Sequence, residues 1–337
     1  MKRLTMADIA KAAGVSKGAV SYALNGRPGV SELTRQRVMR IAEELGWVPN
    51  TAARALSAAR ADAVGFVLAR PARILGLEPF FMQLISGIEG ELAGRSLALV
   101  LQVVPDVRTE CEVYRRWWAE RRIDGVIVVD LRVEDPRVHM LAELGLPAVI
   151  AGGQTDELVG IWPNERPAMR SLVQYLAALG HTRIARVAGL PELRHTATRT
   201  EEFQRVTTEL NLSTTTLYGD YSGEQGTQLT RRLLSARPRP TAILYDNDVM
   251  AVAGLSVATE MGIAVPQDLS IVAWDDSPLC QLVSPPLTAL TRDVAAFGAR
   301  AVQALAEVLA GANPPSTETE SPTLVVRGST AAVPRTR

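Results

Sequence analysis

The chain opens with two short stretches whose apolar residues recur three and four positions apart, the spacing of one helix face. Ile9 and Ala10 mark the first, and Val20, Ala23 and Leu24 the second. Thr5 stands at an N-cap position with Asp8 three residues on, a capping box. Gly14 ends this helix and permits the left-handed backbone of a tight turn. Ser16 caps the second helix and Asn25-Gly26 stops it. A third helix is predicted from Ser31 to Gly46, with Leu33, Val38, Ile41, Ala42 and Leu45 turned inward. Pro49 then breaks the chain. Asn50 can cap a further helix reaching Ala58, about two turns long and too short to stand alone in water.

From Val64 the pattern changes to apolar runs of strand length alternating with helical segments. Strands are predicted at 64–69, 96–104, 125–129 and 148–151, separated by helices along one face of 81–92 and over 110–121 and 136–144. Trp162-Pro163-Asn164 reads as a crossing between lobes. The alternation then restarts, with strands at 183–189, 215–220, 241–247, 270–275 and 324–327 and an extended segment at 286–293. Helices are predicted at 166–180, 199–210, 222–235, 249–262 and 294–309, and 313–322 is a polar loop. Fully apolar strands between helices imply parallel sheets covered on both faces. The expected fold is an all-α helix-turn-helix head followed by an α/β body of two Rossmann-like, doubly wound lobes.

Charge sharpens the division. Residues 1–60 hold ten Lys or Arg against four Asp or Glu, while the remainder holds 26 against 32. Overall neutrality therefore hides a basic head on an acidic body, and a basic head is what contact with phosphates requires. In such units the second helix enters the DNA major groove by its N-terminal side chains, here Ser16, Lys17, Gly18, Ser21 and Tyr22. The small residues of the Asn50–Ala58 segment, with Leu56 as an apolar wedge, suit the minor groove. No run reaches the ~18 apolar residues of a membrane span, and Met1-Lys2-Arg3 does not lead into a signal peptide, so a cytoplasmic protein is expected. Cys111 and Cys280 read as structural thiols, and His139, His181 and His195 show no metal-ligand spacing. No cofactor or metal is expected. Gly-x-Gly-x-x-Gly, Walker and nucleophile motifs are absent, which disfavours a nucleotide-dependent enzyme. A secreted solute-binding protein is disfavoured by the basic head.

Open parallel sheets bind ligands past the carboxyl ends of their strands. Polar residues there are Asp130, Asp220-Tyr221, Asn247-Asp248 and Asp275-Asp276, with Arg199 opening a helix. Carboxylates, amides and an aromatic face together suit a polyhydroxylated ligand.

The run from Thr5 to Leu56 resembles the head of the lactose-repressor family of bacterial transcription regulators. The matching residues include Gly14-Val15-Ser16, Val20-Ser21, Leu24-Asn25-Gly26, Thr34-Arg35, Pro49-Asn50 and Ala53-Arg54-Ala55-Leu56. Gly262 to Asp276, Asn247 to Ala251 and Pro285 to Thr288 extend the resemblance over the body. It departs at Ala19 and Tyr22, where Thr and Arg are usual, and at Glu202, where Gly is usual. The resemblance implies DNA contacts from Thr5, Ser16, Lys17, Gly18, Ser21, Tyr22, Asn25, Ser31, Thr34, Asn50, Ala53, Arg54 and Leu56. It implies an effector held by Arg199, Asn247 and Asp275 between the aromatic walls Tyr221 and Trp162, with Phe80 and Phe81 from the first lobe and Arg292 at the lobe crossing; Asp130 joins them from the strand-end rule alone. It further implies a homodimer on a palindromic operator, expected to act as a repressor, and a periplasmic-binding-protein-like body closing on a small molecule. A sugar is favoured, with a purine or a partner phosphoprotein as alternatives; inducer or corepressor stays open. The expected boundaries are 1–46 for the head, 47–60 for a hinge helix and linker, and 61–337 for the body. Within the body the lobes are expected at 61–161 with 291–318, and at 162–290 with 319–330.

Overall fold

The computed structural model describes residues 4–24, 26–47, 60–71, 76 and 78–333. The chain divides into two compact units, Met1–Ala61 and Asp62–Arg337.

The first unit holds α1 (Met6–Ala13), α2 (Lys17–Leu24) and α3 (Glu32–Glu44). Ile9, Ala10, Ala13, Val20, Ala23, Val38 and Ala42 form its core. The Asp8 carboxylate accepts the Thr5 backbone N–H at 2.8 Å and the Thr5 hydroxyl at 2.7 Å. Gly14 has φ 62° and ψ 37° and ends α1. The Ala19 N–H donates to Ser16 Oγ at 3.1 Å, which caps α2. Two residues expected inside α3 face out. Leu33 is 81% exposed; it precedes Val38 by five residues, which rotates it about 140° away from the buried stripe. Leu45 is 38% exposed because it is the C-cap, beyond the last turn that packs. Asn25 and the expected helix carrying Asn50, Ala53, Arg54 and Leu56 lie outside the described residues.

The second unit begins with β1 (Ala63–Ala69), α4 (Pro79–Gly94), β2 (Ala98–Val104), α5 (Val107–Ala119), β3 (Gly125–Val128), α6 (Pro136–Leu144), β4 (Ala148–Ala151) and β5 (Val159–Pro163). The pattern repeats through α7 (Glu165–Ala178), β6 (Arg183–Ala188), α8 (Arg194–Glu209), β7 (Ser213–Tyr218), α9 (Gly223–Ser235), β8 (Ala242–Tyr245), α10 (Asp248–Glu260), β9 (Ser270–Ala273), the short α11 (Pro278–Leu282) and β10 (Thr288–Thr291). Then α12 (Val294–Leu309) returns to the first lobe, where it packs along α4. β11 (Thr317–Thr319) and β12 (Thr323–Val325) close one edge of each sheet. The six-stranded sheets have the same order, β2-β1-β3-β4-β5-β11 and β7-β6-β8-β9-β10-β12. Every described pairing is parallel except β10 with β12.

Alternation along a strand sends neighbours to opposite faces. Val64, Phe66 and Leu68 of β1 therefore join Phe81, Leu84, Ile88 and Leu92 of α4. Val67 joins Tyr114 and Trp117 of α5 on the other face. The structure adds to the expected elements in four places. Val159–Pro163 is a strand, although Trp162-Pro163 read as a crossing, because Pro163 sits at its end. β11 lies inside the expected polar loop; an exposed three-residue edge strand needs no apolar pattern. α8 starts at Arg194, five residues before the predicted start, behind an N-cap Leu193 that has no capping hydrogen bond. α11 follows Ser277, whose hydroxyl accepts the Leu279 N–H. No helix among the described residues is long and apolar enough to cross a membrane.

Close approach of α4 and α12 depends on glycine. A Cβ at Gly87 would stand 1.9 Å from the Ala295 carbonyl oxygen, and one at Gly298 2.5 Å from that of Leu84. At Gly90, one turn on, a Cβ would meet nothing within 4 Å. Gly87→Ala should lower body stability by about 1–3 kcal/mol through overpacking. Gly90→Ala should raise it by up to ~1 kcal/mol through helix propensity. Denaturant midpoints of the two variants moving in the same direction would contradict this packing.

Candidate functional site

In the head, Ser16, Lys17, Gly18 and Tyr22 of the α2 region are exposed and Ser21 is half-buried. Tyr22 lies over the turn that follows α2: a Cβ at Gly29 would come 3.0 Å from its ring, and Gly29 has φ 121°. Arg35 braces the same turn, donating to the Arg27 carbonyl at 3.1 Å. Thr5, Ser31 and Thr34 are turned to local capping; the Thr34 N–H donates to Ser31 Oγ and the two hydroxyls lie 2.9 Å apart. The α2 side chains thus form an exposed row on a braced support.

In the body, a cavity of about 850 Å³ opens between the lobes, at the carboxyl ends of both sheets. Of the nine predicted effector residues, Phe80, Phe81, Asp130, Trp162, Arg199, Tyr221, Asp275 and Arg292 line it. Asn247 does not. It is 1% exposed, caps α10 by accepting the Met250 N–H and donates to the Tyr221 carbonyl at 3.0 Å. Its neighbour Asp246 reaches the cavity instead. Asp130, Tyr221 and Asp275 follow β3, β7 and β9 with φ of 53°, 69° and 51°. Non-glycine residues held in this region cost of order 1–3 kcal/mol each and cluster at ligand clamps.

Aromatic and charged groups interleave around the cavity. Phe80 and Phe81 meet edge to face at 5.3 Å between centroids. The Arg292 guanidinium lies 5.1 Å from the Phe80 ring centre and donates to Asp275 Oδ1 at 3.3 Å. Arg70 donates to Asp130 Oδ2 at 2.7 Å and reaches over the Tyr221 ring of the opposite lobe at 4.9 Å. Arg199, expected to grip the effector, is already held: Glu165 takes its Nε at 3.0 Å and its Nη2 at 2.5 Å. Its face stacks on Trp274 at 4.1 Å. One flank of the cleft is bridged by main chain. Val133 N–H donates to the Glu192 carbonyl at 2.9 Å, and Arg194 N–H to that of Leu131 at 2.7 Å.

Residues 5–50 match the model of the bacterial regulatory proteins of the lacI family, and residues 173–330 match a periplasmic binding protein-like domain. The HTH-type transcriptional regulator MalR of Streptomyces coelicolor is 34% identical over 349 residues, spanning 98% of each chain. Two solved structures share the architecture. The lac repressor dimer bound to operator and the anti-inducer ONPF is 27% identical with a TM-score of 0.86, covering 98% of this chain and 100% of that one. The transcriptional regulator CelR in complex with cellobiose is 29% identical with a TM-score of 0.74, covering 97% and 100%. The chain belongs to the lacI family. It is a DNA-binding transcriptional regulator with a helix-turn-helix head and a bilobal, periplasmic-binding-protein-like body.

The regulator's cavity contains residues that strand-end reasoning passed over. Arg70 and Asp246 each stand one position beyond a strand, β1 and β8, where the rule that found Asp130 also applies. His195 and Glu165 open α8 and α7; His195 was weighed only as a metal ligand, because α8 was expected to begin later. Glu78, the N-cap residue of α4, carried no sequence signal. Burial raises its carboxyl to about 8 against an ordinary 4.5, with Arg70 opposing. Burial also raises the carboxyl of Asp130, but the Arg70 guanidinium overrides this and holds it below its usual value. For Glu165 burial is likewise outweighed by Arg199. His195 donates to or accepts from the Tyr221 hydroxyl at 2.7 Å. Desolvation, then Arg199, lowers it to about 4, so it stays neutral at pH 7. Glu202, the departure from the family pattern, is outside the cavity. It is 1% exposed and accepts from Arg170 and Arg205, binding α7 to α8.

Seven buried side-chain polar atoms among the described residues lack a hydrogen-bond partner, and four belong to cavity residues: Arg70 Nη1, Glu78 Oε2, Arg132 Nε and Arg292 Nε. Leaving such groups unpaired costs about 1–3 kcal/mol each, so the cavity wall holds its polar groups at a cost to stability.

Because folded Glu78 keeps its proton to about 8 and the unfolded group releases it near 4.5, its contribution to stability is complete below the lower value. That contribution is lost as pH rises toward the upper one. Glu78→Gln should therefore flatten the fall of the unfolding midpoint between pH 5 and about 8. Parallel midpoint curves for the two proteins would show that Glu78 does not titrate there.

Proposed function

We propose that the regulator reads a palindromic operator as a homodimer, chiefly through Ser16, Lys17, Gly18, Ser21 and Tyr22, and that a carbohydrate bound between its lobes sets operator affinity. The cavity carries this reading. Aromatic faces suit sugar C–H groups, and the carboxylates and guanidiniums of the lining suit hydroxyls. Phe80, Phe81, Asp130, Trp162, Tyr221, Asp275 and Arg292 form its walls, and Arg199 acts through Glu165 rather than as a free grip. The cellobiose bound by CelR supports the same ligand class. The regulator serves as a receptor rather than a catalyst and works in the cytoplasm. A ligand touching both lobes favours their closed arrangement. Coupling of this kind is typically ~1–3 kcal/mol between two sites. The lobes are expected at 61–161 with 291–318 and at 162–290 with 319–330, behind a linker at 47–60.

Thermal denaturation in a panel of saccharides tests the ligand class, since a ligand that binds only the folded state raises the midpoint. Asp275→Ala should weaken the active saccharide by about tenfold or more, as loss of a charged hydrogen bond does; calorimetric affinities within twofold would remove Asp275 from the site. In the head, Tyr22→Arg should move base preference at one operator position toward guanine, because Arg pairs bidentately with guanine. An unchanged profile in selection from random duplexes would show that Tyr22 reads no base.

A further inference from the structure

We infer that the interlobe cavity selects an uncharged saccharide, and that Glu165 sets this selectivity by neutralising Arg199 and Arg292. The inference rests on the carbohydrate reading above. Arginine grips phosphate or carboxylate through its planar fork, and six arginines line the cavity. Each already has a carboxylate or carbonyl partner. Arg70 is paired with Asp130 at 2.7 Å, Arg166 with Glu201 at 2.7 Å and Arg292 with Asp275 at 3.3 Å. Arg132 stands 3.6 Å from Glu192, and Arg194 donates to the Val133 carbonyl at 2.9 Å.

Arg199 is the most deeply engaged. Glu165 takes both donors, Nε and Nη2, along one edge of its guanidinium, the Asp246 carbonyl accepts from Nη1 at 3.3 Å, and Trp274 covers one face. Glu165 Oε1 also lies 3.9 Å from Arg292 Nη1, so one carboxylate serves two guanidiniums. Ten carboxyl groups line the cavity against the six arginines. With Glu78 protonated, the nine charged carboxylates outnumber the arginines by one once Arg137 and Arg186, which pair with Asp135 and Asp246 from behind the wall, are counted as well.

An anionic ligand has two routes into such a site. It can displace Glu165, which strands a buried carboxylate without its partner, or it can sit in a net negative field. A hydroxyl meets neither penalty. It carries no charge to be repelled, and it can donate to a lining carboxylate without displacing Glu165.

The test is calorimetric titration of the full-length regulator with the neutral disaccharides cellobiose and maltose and with their 6-phosphates, using the 6-O-acetyl esters to control for bulk. The expected result is that the phosphates bind at least about tenfold more weakly than the acetyl esters. In Glu165→Gln that gap should close by about tenfold or more through a gain for the phosphates. Asp275→Asn, which frees Arg292, should shift the gap the same way and serves if Glu165→Gln does not fold. Phosphates binding the wild type as tightly as the acetyl esters would overturn the selectivity and leave the carbohydrate reading standing. An unchanged gap in folded Glu165→Gln would overturn the role of Glu165, and one in Asp275→Asn would overturn the idea that carboxylate pairing of these arginines sets the selectivity. Failure of every neutral saccharide, with no thermal shift from any of them, would overturn the carbohydrate reading and this inference together.

Discussion

Guanidinium–carboxylate pairs withdrawn from water fix the walls of the receptor. Arg186 and Asp246 are both fully buried and meet through two hydrogen bonds of 2.8 and 2.7 Å. In the first lobe, Arg137 binds Glu110 and Asp135 and donates to the Asp130 carbonyl at 2.8 Å. Each pair ties a loop at a strand's carboxyl end to the interior. Taking both charges out of water costs several kcal/mol per ion, and their attraction returns this only with good geometry. Such pairs are therefore poor sources of stability and good sources of position. Removing one partner would leave the other charged and buried, so the loop geometry around the cavity tolerates few alternatives.

The two units solve different problems with different cores. The head packs mostly Ala, Val and Ile from three short helices, held by the capping of α1, α2 and α3 and by Gly14. Its apolar interior is small, and Ser16, Lys17, Gly18 and Tyr22 of its second helix region lie at the surface. The body repeats one sheet order twice. Strand ends of both sheets then face a shared cleft, and the chain passes between lobes after β5, after β10 and between β11 and β12. The main-chain bridge at 131–133 and 192–194 joins the lobes on one flank. Lobes joined by a few crossings and a short bridge can shift against one another without unfolding either sheet, which is what a ligand-controlled regulator requires.

Much of the fold was legible because its elements carry regular periods. The helix 136–144, the strand 148–151 and the helix 294–309 lie where spacing predicts them. Elements without an apolar pattern were not legible: β11 on an exposed edge, β5 ending in proline, and the first turn of α8 without a capping side chain. The strand-end rule led to Asp130, Tyr221 and Asp275, and it applied equally to Arg70 and Asp246. It also pointed to Asn247, which the structure places at a helix cap and outside the cavity lining; a helix cap and a ligand residue look alike in sequence. Asn, with both a donor and an acceptor, serves either role.

The amino-acid sequence by itself determined the local elements, the basic head, the doubly wound body and the end of each sheet that faces the cleft. Periodicity, capping and charge act over a few residues, and they are written in the order of the chain. Only the tertiary structure decided which polar groups remain available. Glu165 and Arg199 are 34 positions apart, and Arg70 and Tyr221 come from different lobes. Whether a charge is free or already paired depends on neighbours brought together by folding, and on how much water folding removes from around it.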